Sequence, residues 1–423
     1  MKILYISQYF SPEMGAPSAR ASELSRHWAH MGHDVTVLTG FPNHPTGIVP
    51  ADWRSRLRHL RYSERIDGVQ VERTWLWPLP NREAHERIRN YASFCLSAAI
   101  AGIGLANPDV IIATSPQLLC ALAGWWIARW KRVPFVFEVR DLWPESLAAV
   151  GAGGEGTLLH RALGAIAGFL YKRAHRIVVV TPAFKEHLIQ NWRVPAEKIA
   201  LVENGVETDL FRPDGASASE VRNRFSLDQR FLICYVGTMG MAHGLETLIA
   251  AAEELQTTLP DAMFLLIGEG AEKQNIIQLA AARRLTNIRF LDQQPRERIP
   301  AFISASDLCL VLLKRTDLFK TVIPTKLLEY MACARPVIVA VDGQSRQIVE
   351  EARAGVFTPP EDSGALANTI RALARDSERR NQMGTNGRRY IVQKLSRQQT
   401  AWNYISVLEE LLGSEDLPRV VAA

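Results

Sequence analysis

A chain of 423 residues is too long for one hydrophobic core and suits two domains of roughly 200 residues each. Its 47% hydrophobic and 22% charged residues are ordinary for a globular protein, and its five cysteines, odd in number and widely spaced, suggest reduced thiols in a cytosolic protein rather than a disulfide frame, with no Cys/His spacing that suggests a metal site. Charge is uneven: residues 1–200 hold 23 Lys+Arg against 16 Asp+Glu, and the remainder 26 against 28, so the basic first half anticipates an anionic partner such as a membrane surface, a phosphate-bearing acceptor or nucleic acid.

The first ten residues do not read as a signal peptide, because Lys2 is followed by a strand broken at Ser7 and Gln8 rather than by a long apolar run. Lys2–Ser7 is an apolar strand, and residues 11–19 form a loop with Pro12, Gly15 and Pro17. An amphipathic helix follows to Met31, with Leu24 and Trp28 four apart, and Val35–Thr39 is the next strand. This βαβ unit implies a parallel sheet with ligands at its carboxyl edge, where the Gly15 loop sits. Without G-x-G-x-x-G, a nicotinamide dehydrogenase is the weakest reading.

Residues 41–90 read as irregular, with Pro42, Pro45, Pro50 and two patches of tryptophan and arginine: Trp53, Arg54, Arg56, Arg58, Arg61 and Arg65, then Trp75, Trp77, Arg82, Arg87 and Arg89. Residues 93–106 are apolar, and as a helix would span about 21 Å, short of a hydrocarbon core of about 30 Å. Two readings stand: a core helix over the sheet, or a monotopic surface with Arg and Trp at the headgroups, joined by Trp125, Trp126, Trp130, Lys131 and Arg132. No nucleic-acid recognition signature is present, so nucleic acid ranks well below lipid.

Asp109–Thr114 and Pro134–Val139 are strands, the second leading into Arg140-Asp141-Leu142-Trp143-Pro144-Glu145-Ser146. Three ionisable groups at a carboxyl edge mark a place for chemistry, and the alternative is an Arg140–Asp141 pair bracing a turn. Ile177–Val180 and Ile199–Glu203 complete the first series. The polar Pro, Gly and Ser run of residues 211–219 is a boundary, giving domains at 1–210 and 211–395 with a terminal helical segment at 396–423.

Phe231–Val236 restarts the alternation, and the loop Gly237-Thr238-Met239-Gly240 after it can wrap phosphate through backbone N–H groups. Met263–Ile267 ends at Gly268-Glu269-Gly270, Ile288–Leu291 at Asp292-Gln293-Gln294, and Leu308–Leu313 leads to the loop containing Thr321. Pro324-Thr325-Lys326-Leu327-Leu328-Glu329-Tyr330-Met331-Ala332 then opens a helix whose N-terminus and Lys326 suit a diphosphate. Glu329, three residues on and on the same side, suits a sugar hydroxyl. The bland alternative is a surface helix with an ordinary Lys/Glu pair.

This last stretch, followed by Arg335-Pro336-Val337-Ile338, resembles the donor-site helix of retaining GT-B glycosyltransferases of family 4, and the order of motifs extends the resemblance over nearly the whole chain. The Arg140–Ser146 run is similar to that of bacterial surface-polysaccharide transferases related to the L-fucosamine transferases. The resemblance implies two doubly wound, Rossmann-like α/β domains facing a cleft. It implies retaining transfer of a UDP-linked sugar, an N-acetylated hexosamine or deoxyhexosamine, to a polyprenyl-diphosphate-linked glycan of O-antigen, capsule or exopolysaccharide. It implies a cytoplasmic protein, peripheral on the membrane, with no cofactor and no metal. Donor binding then falls to Gly15, Gly237, Thr238, Gly268, Glu269, Gln294, Thr321, Thr325, Lys326 and Glu329, and catalysis to Arg140, Asp141 and Lys326.

Three departures from the family pattern matter. Thr321 stands where the family has a second Glu, eight positions before Glu329, and cannot place a negative charge beside a cationic transition state. Arg140 replaces the family's frequent His, removing the side chain best suited to proton transfer near neutral pH. Thr238 and His243 stand where Arg and Lys often clamp the diphosphate, which shifts charge neutralisation onto Lys326 and helix dipoles. A sugar-nucleotide epimerase or a non-catalytic scaffold on the same fold are the alternatives.

Overall fold

The computed structural model describes residues 1–44, 47–79, 84–146 and 157–413; Pro45 and Arg82 lie outside them. The chain divides into two compact units, residues 1–203 with 398–423, and residues 204–397. The boundaries anticipated at 210/211 and 395/396 thus fall at 203/204 and 397/398.

Unit 1 is built on an eight-stranded sheet ordered β3-β4-β2-β1-β5-β6-β7-β8. Its strands are β1 (Lys2–Ile6), β2 (Asp34–Gly40), β3 (Arg61–Ile66), β4 (Val69–Thr74), β5 (Val110–Thr114), β6 (Phe135–Val139), β7 (Arg176–Val179) and β8 (Ile199–Leu201). All neighbours are parallel except β3 and β4. Helices α1 (Ala16–His30), α2 (Ala84–Ile103), α3 (Leu118–Lys131), α4 (Leu158–Arg173) and α5 (Pro182–Trp192) connect them. Alternation along β1 shows the double winding. Ile3 and Tyr5 pack with Leu24 and Trp28 of α1, while Ile6 faces α3, where a Cβ on Gly124 would meet its side chain.

Residues 41–90 are not irregular throughout. They contain the β3–β4 hairpin, turned at Asp67 (φ 49°) and Gly68 (φ 83°). Two successive residues with positive φ make the tight turn whose twist matches antiparallel strands, and Asp-Gly is its preferred pair. The strand escapes notice because its alternation is weakly apolar, in the sequence Arg-Tyr-Ser-Glu-Arg-Ile at the sheet edge.

Unit 2 carries a six-stranded parallel sheet ordered β11-β10-β9-β12-β13-β14. These are β9 (Phe231–Val236), β10 (Ala262–Ile267), β11 (Ile288–Leu291), β12 (Leu308–Leu312), β13 (Val337–Ala340) and β14 (Gly355–Phe357). The helices are α6 (Gly215–Arg224), α7 (Glu246–Thr258), α8 (Lys273–Ala282), α9 (Ile299–Ala305), α10 (Thr325–Ala332), α11 (Gln344–Ala352), α12 (Ser363–Ala374) and α13 (Ser377–Lys394). Leu232, Cys234 and Val236 of β9 pack with α10, and Ile233 and Tyr235 pack with Leu248 and Ile249 of α7, so both faces are covered.

The last helix, α14 (Arg397–Gly413), begins at the boundary and belongs mostly to unit 1. Trp28 is fully buried there, donating from Nε1 to the Ala401 carbonyl at 3.2 Å and meeting the Tyr404 ring edge-on. Among the described residues no helix is long and apolar enough to cross a membrane.

Strand order reverses between β1 and β5 in unit 1 and between β9 and β12 in unit 2. Ligands of such sheets sit beyond the carboxyl ends of the strands at these reversals. The Gly15 loop follows β1, the Gly237 loop follows β9, and α10 follows β12.

Candidate functional site

At the carboxyl edge of unit 2, the loops after β9 and β10 are locked together by glycine. Gly237 (φ 136°) and Gly268 (φ 147°) end β9 and β10, and a Cβ on Gly268 would lie 2.0 Å from the Gly237 carbonyl oxygen. No other residue fits that contact. The Met239 N–H donates to the Glu269 carbonyl at 2.8 Å, holding the exposed Thr238 loop beside the next one.

Helix α10 starts at Thr325, with Pro324 as the cap before it rather than in its first turn. Thr325 and Lys326 therefore occupy the first turn, where backbone N–H groups have no partner four residues back and the dipole favours an anion. Lys326 does not extend into water. Its Nζ is buried, lies 3.8 Å from the centre of the Tyr235 ring, and has no hydrogen-bond acceptor among the described residues. A Cβ added to Gly237 would come within 2.9 Å of it, so the glycine makes the lysine's seat. Burial pulls the ammonium down to about 7, with Glu329 acting weakly in the opposite sense. Tyr235 is fixed from its other end, donating from Oη to the Thr238 carbonyl at 2.6 Å.

His243 packs edge-on to Tyr235, with Nδ1 at hydrogen-bond distance from Gly240. Burial first, then the nearby Lys326 charge, pushes the imidazole down to about 3. It is neutral at any ordinary pH and cannot neutralise a diphosphate. Thr321 donates its hydroxyl to the Leu318 carbonyl at 2.6 Å, in the turn before α10.

Glu329 lies one turn along α10 and is 8% exposed. Its Oε1 accepts from Arg296 Nη1 at 2.9 Å, and the Arg296 guanidinium lies 4.9 Å over the Phe211 ring. Sequence reasoning missed Arg296, which stands in a short Pro295-Arg296-Glu297-Arg298 run with no motif to mark it. It also missed Lys273, which ties Glu269 (2.6 Å) to Asp292 (2.6 Å) and so joins the loops after β10 and β11. Gln294 closes this run by donating to the Asp292 carbonyl at 3.0 Å. Tyr235 was invisible for a simpler reason: inside an apolar strand it reads as core.

The structure therefore gathers Gly237, Thr238, Gly268, Glu269, Gln294, Thr321, Thr325, Lys326 and Glu329 along one sheet edge of unit 2. Gly15, Arg140 and Asp141 lie at the corresponding edge of unit 1. Arg140 Nη2 donates to the Ala16 carbonyl at 3.2 Å, setting a cation beside the Gly15–Ala16 turn that opens α1. Asp141 is turned inward: its carboxylate accepts from Ser146 Oγ and from Trp143 Nε1. Burial raises its carboxyl despite those bonds. Its observed partners make it a brace of the Arg140–Ser146 turn. Glu145 is likewise engaged, with His187 Nε2 at 3.1 Å and Trp192 Nε1 at 3.2 Å.

Comparison with known proteins matches a separate family model to each unit. Residues 15–205 match the family model of the glycosyl transferase 4-like domain, and residues 218–390 that of the glycosyl transferases group 1. Over 380 residues the chain is 26% identical to WcaI of Escherichia coli K12, named for a glycosyl transferase of colanic acid biosynthesis; the match covers 88% of this chain and 91% of WcaI. An alpha-D-kanosaminyltransferase of Streptomyces kanamyceticus is also 26% identical, over 75% of this chain and 77% of its own. In fold the chain is similar to HepE of Anabaena in complex with UDP, with a TM-score of 0.72 at 18% identity over 97% of this chain and 100% of HepE.

Proposed function

We propose that this chain, whose two units match the glycosyl transferase 4-like and glycosyl transferases group 1 models, is a family 4 glycosyltransferase of the GT-B fold that moves a sugar from UDP to a polyprenyl-diphosphate-linked glycan with retention, in surface-polysaccharide assembly. The donor sugar is an N-acetylated hexosamine or deoxyhexosamine, as in the L-fucosamine transferase branch, and the work is done on the cytoplasmic face of the membrane. The observation that carries the donor reading is the buried Lys326 ammonium with no acceptor among the described residues. A buried donor without a partner costs roughly 1–3 kcal/mol, more when charged, and at a helix N-terminus an anionic ligand repays that cost. HepE, bound to UDP in its crystal structure, supports a uridine diphosphate as that ligand, and WcaI supports a polysaccharide context.

In this reading Lys326 and the first turn of α10 neutralise the leaving diphosphate, an electrostatic contribution to the transition state. Gly237 and Gly268 admit it to the backbone, Glu329 holds the ribose, and the loops at Glu269 and Gln294 flank the base. Arg140 presents its cation beside Gly15, and Asp141 positions Arg140 through the shared turn. The leaving phosphate helps deprotonate the incoming hydroxyl, so no histidine is required and neither metal nor cofactor takes part.

The test is incubation with UDP-sugars, without divalent metal, plus a polyprenyl-diphosphate sugar from membranes. Lipid-linked product and released UDP that both vanish in Lys326→Ala and Glu329→Ala support the proposal. UDP binding without product from any donor sinks it. Arg296 separates ground-state from transition-state effects. Losing its charge-assisted bond, about 1.5–3 kcal/mol, is expected to raise KM for the UDP-sugar roughly tenfold or more in Arg296→Ala, with kcat little changed. Steady-state kinetics check this, and an equal loss in kcat would place Arg296 in the transition state instead.

A further inference from the structure

The basic, aromatic first half resolves into two kinds of residue. Trp53 is 5% exposed, wrapped by Arg56 and Arg73 at 4.5 and 4.4 Å from its ring, and belongs to the interior. Helix α2 behaves differently. Asn90, Phe94 and Ala98 face inward, whereas Ile88, Ala92, Leu96 and Ile100 are exposed, Leu96 and Ile100 at 66% each. Spaced four apart, they form one apolar stripe about 18 Å long.

That stripe continues on both sides. Helix α3 packs alongside: a Cβ on Gly102 would strike Ile127, and Lys131 Nζ caps the Ile103 and Leu105 carbonyls at 3.1 and 2.6 Å. Its exposed residues include Trp126 and Trp130, one turn apart and the latter 62% exposed, flanking the Ile127 and Lys131 contacts with the end of α2. On the other side the Trp77 N–H donates to Ser93 Oγ at 2.8 Å, Trp77 is half exposed, and Arg89 lies 5.9 Å over its ring.

Charge selects the partner. Residues 84–132 carry Arg87, Arg89, Arg129, Lys131 and Arg132 against Glu86 and Asp109. Asp109 already accepts from the Lys2 N–H at 2.6 Å, Glu86 is half-buried, and Arg89, Arg129 and Arg132 are exposed. A second copy meeting this face with its own would set arginine against arginine. An anionic bilayer accepts both the apolar stripe and its cations, with tryptophan at the headgroup level.

We propose that the α2–α3 face, with Trp77, seats the protein on an anionic phospholipid bilayer, lying in the interface without crossing it. The purpose of this surface, access to a lipid-linked acceptor, rests on the transferase reading above; its existence does not. The test is co-sedimentation with vesicles of phosphatidylcholine alone or mixed with phosphatidylglycerol, for the full chain and for Leu96→Glu/Ile100→Glu and Trp126→Ser/Trp130→Ser. UDP binding is measured by calorimetry in each, to show that the fold and the donor site are intact. Full-chain binding to the mixed vesicles, weakened by salt and at least about tenfold weaker in both variants, supports the proposal. A full chain that stays in the supernatant with both vesicles, or variants that pellet like it, overturns it. So does a dimer in ultracentrifugation that the glutamate variant dissociates while vesicles are ignored. Vesicle binding without UDP binding would retain this surface and reject the donor site.

Discussion

Lys326→Met is expected to lower kcat/KM for transfer by about 100-fold or more, the scale of removing one preorganised charge from a developing anion. The larger test is pH. Burial holds the free ammonium at about 7, so above neutrality most molecules have a neutral lysine. A diphosphate at Nζ would restore its charge, and binding must then take up a proton. The affinity of a UDP-sugar, whose diphosphate does not titrate in this range, should fall by up to about tenfold per pH unit above 7 and be flat below it. Calorimetry in buffers of different ionisation enthalpy reads that proton directly, and Lys326→Met should take up none. Stability has the opposite slope. The unfolded lysine keeps a pKa near 10.4, so between about 7 and 10.4 the unfolded chain binds more protons and unliganded stability rises with pH. A UDP-sugar affinity that ignores pH from about 6 to 9 would mean that Lys326 does not meet the diphosphate.

Much of this architecture was legible because it is written in short apolar runs. Ile3–Ile6, Val110–Ala113 and Phe231–Val236 have the continuous hydrophobicity of strands covered on both faces, and turns of Gly, Pro and Asn punctuate them. The β3–β4 hairpin was missed because an edge strand facing water on one side carries little apolar signal, and Asp67-Gly68 alone marked it. Trp53 and Trp126 look alike in sequence, yet one is core and the other surface. That difference depends on Arg56 and Arg73 folding over Trp53 from different segments. For the candidate site, local pattern singled out Lys326 and Glu329. What it could not give was their environment: the ring of Tyr235 under the ammonium and Arg296 on the carboxylate come from strands and loops far away in sequence.

Unit 1 has its own buried charges, and they set the second large effect. Arg20 of α1 and Glu138 of β6 are 1% and 0% exposed and pair at 2.9 Å. Tyr5 Oη donates to the other carboxylate oxygen at 2.7 Å, and Arg20 also reaches the carbonyls of Val202 and Glu203, the last residues before the unit boundary. Burial alone would raise the Glu138 carboxyl. Arg20, then Arg140, outweigh it and hold the group below the usual range. Removing one partner of such a pair leaves the other charge uncompensated, at roughly 3–5 kcal/mol. Arg20→Ala is therefore expected to destabilise unit 1 by about that amount, read as an early shift of its own transition in urea, since two units need not unfold together. Arg20→Met with Glu138→Leu should cost less, because no charge is stranded. The pH dependence separates this from lost packing. In the native protein the depressed carboxyl contributes stability above the unfolded value of about 4.3, and that contribution is lost as pH falls through the folded value. In Arg20→Ala burial is expected to raise Glu138 instead, so this contribution is full below the unfolded value of about 4.3 and is lost as pH rises from there through the raised folded value. The penalty of Arg20→Ala should thus be smaller near pH 5 than near pH 8, whereas a packing defect would cost the same at both.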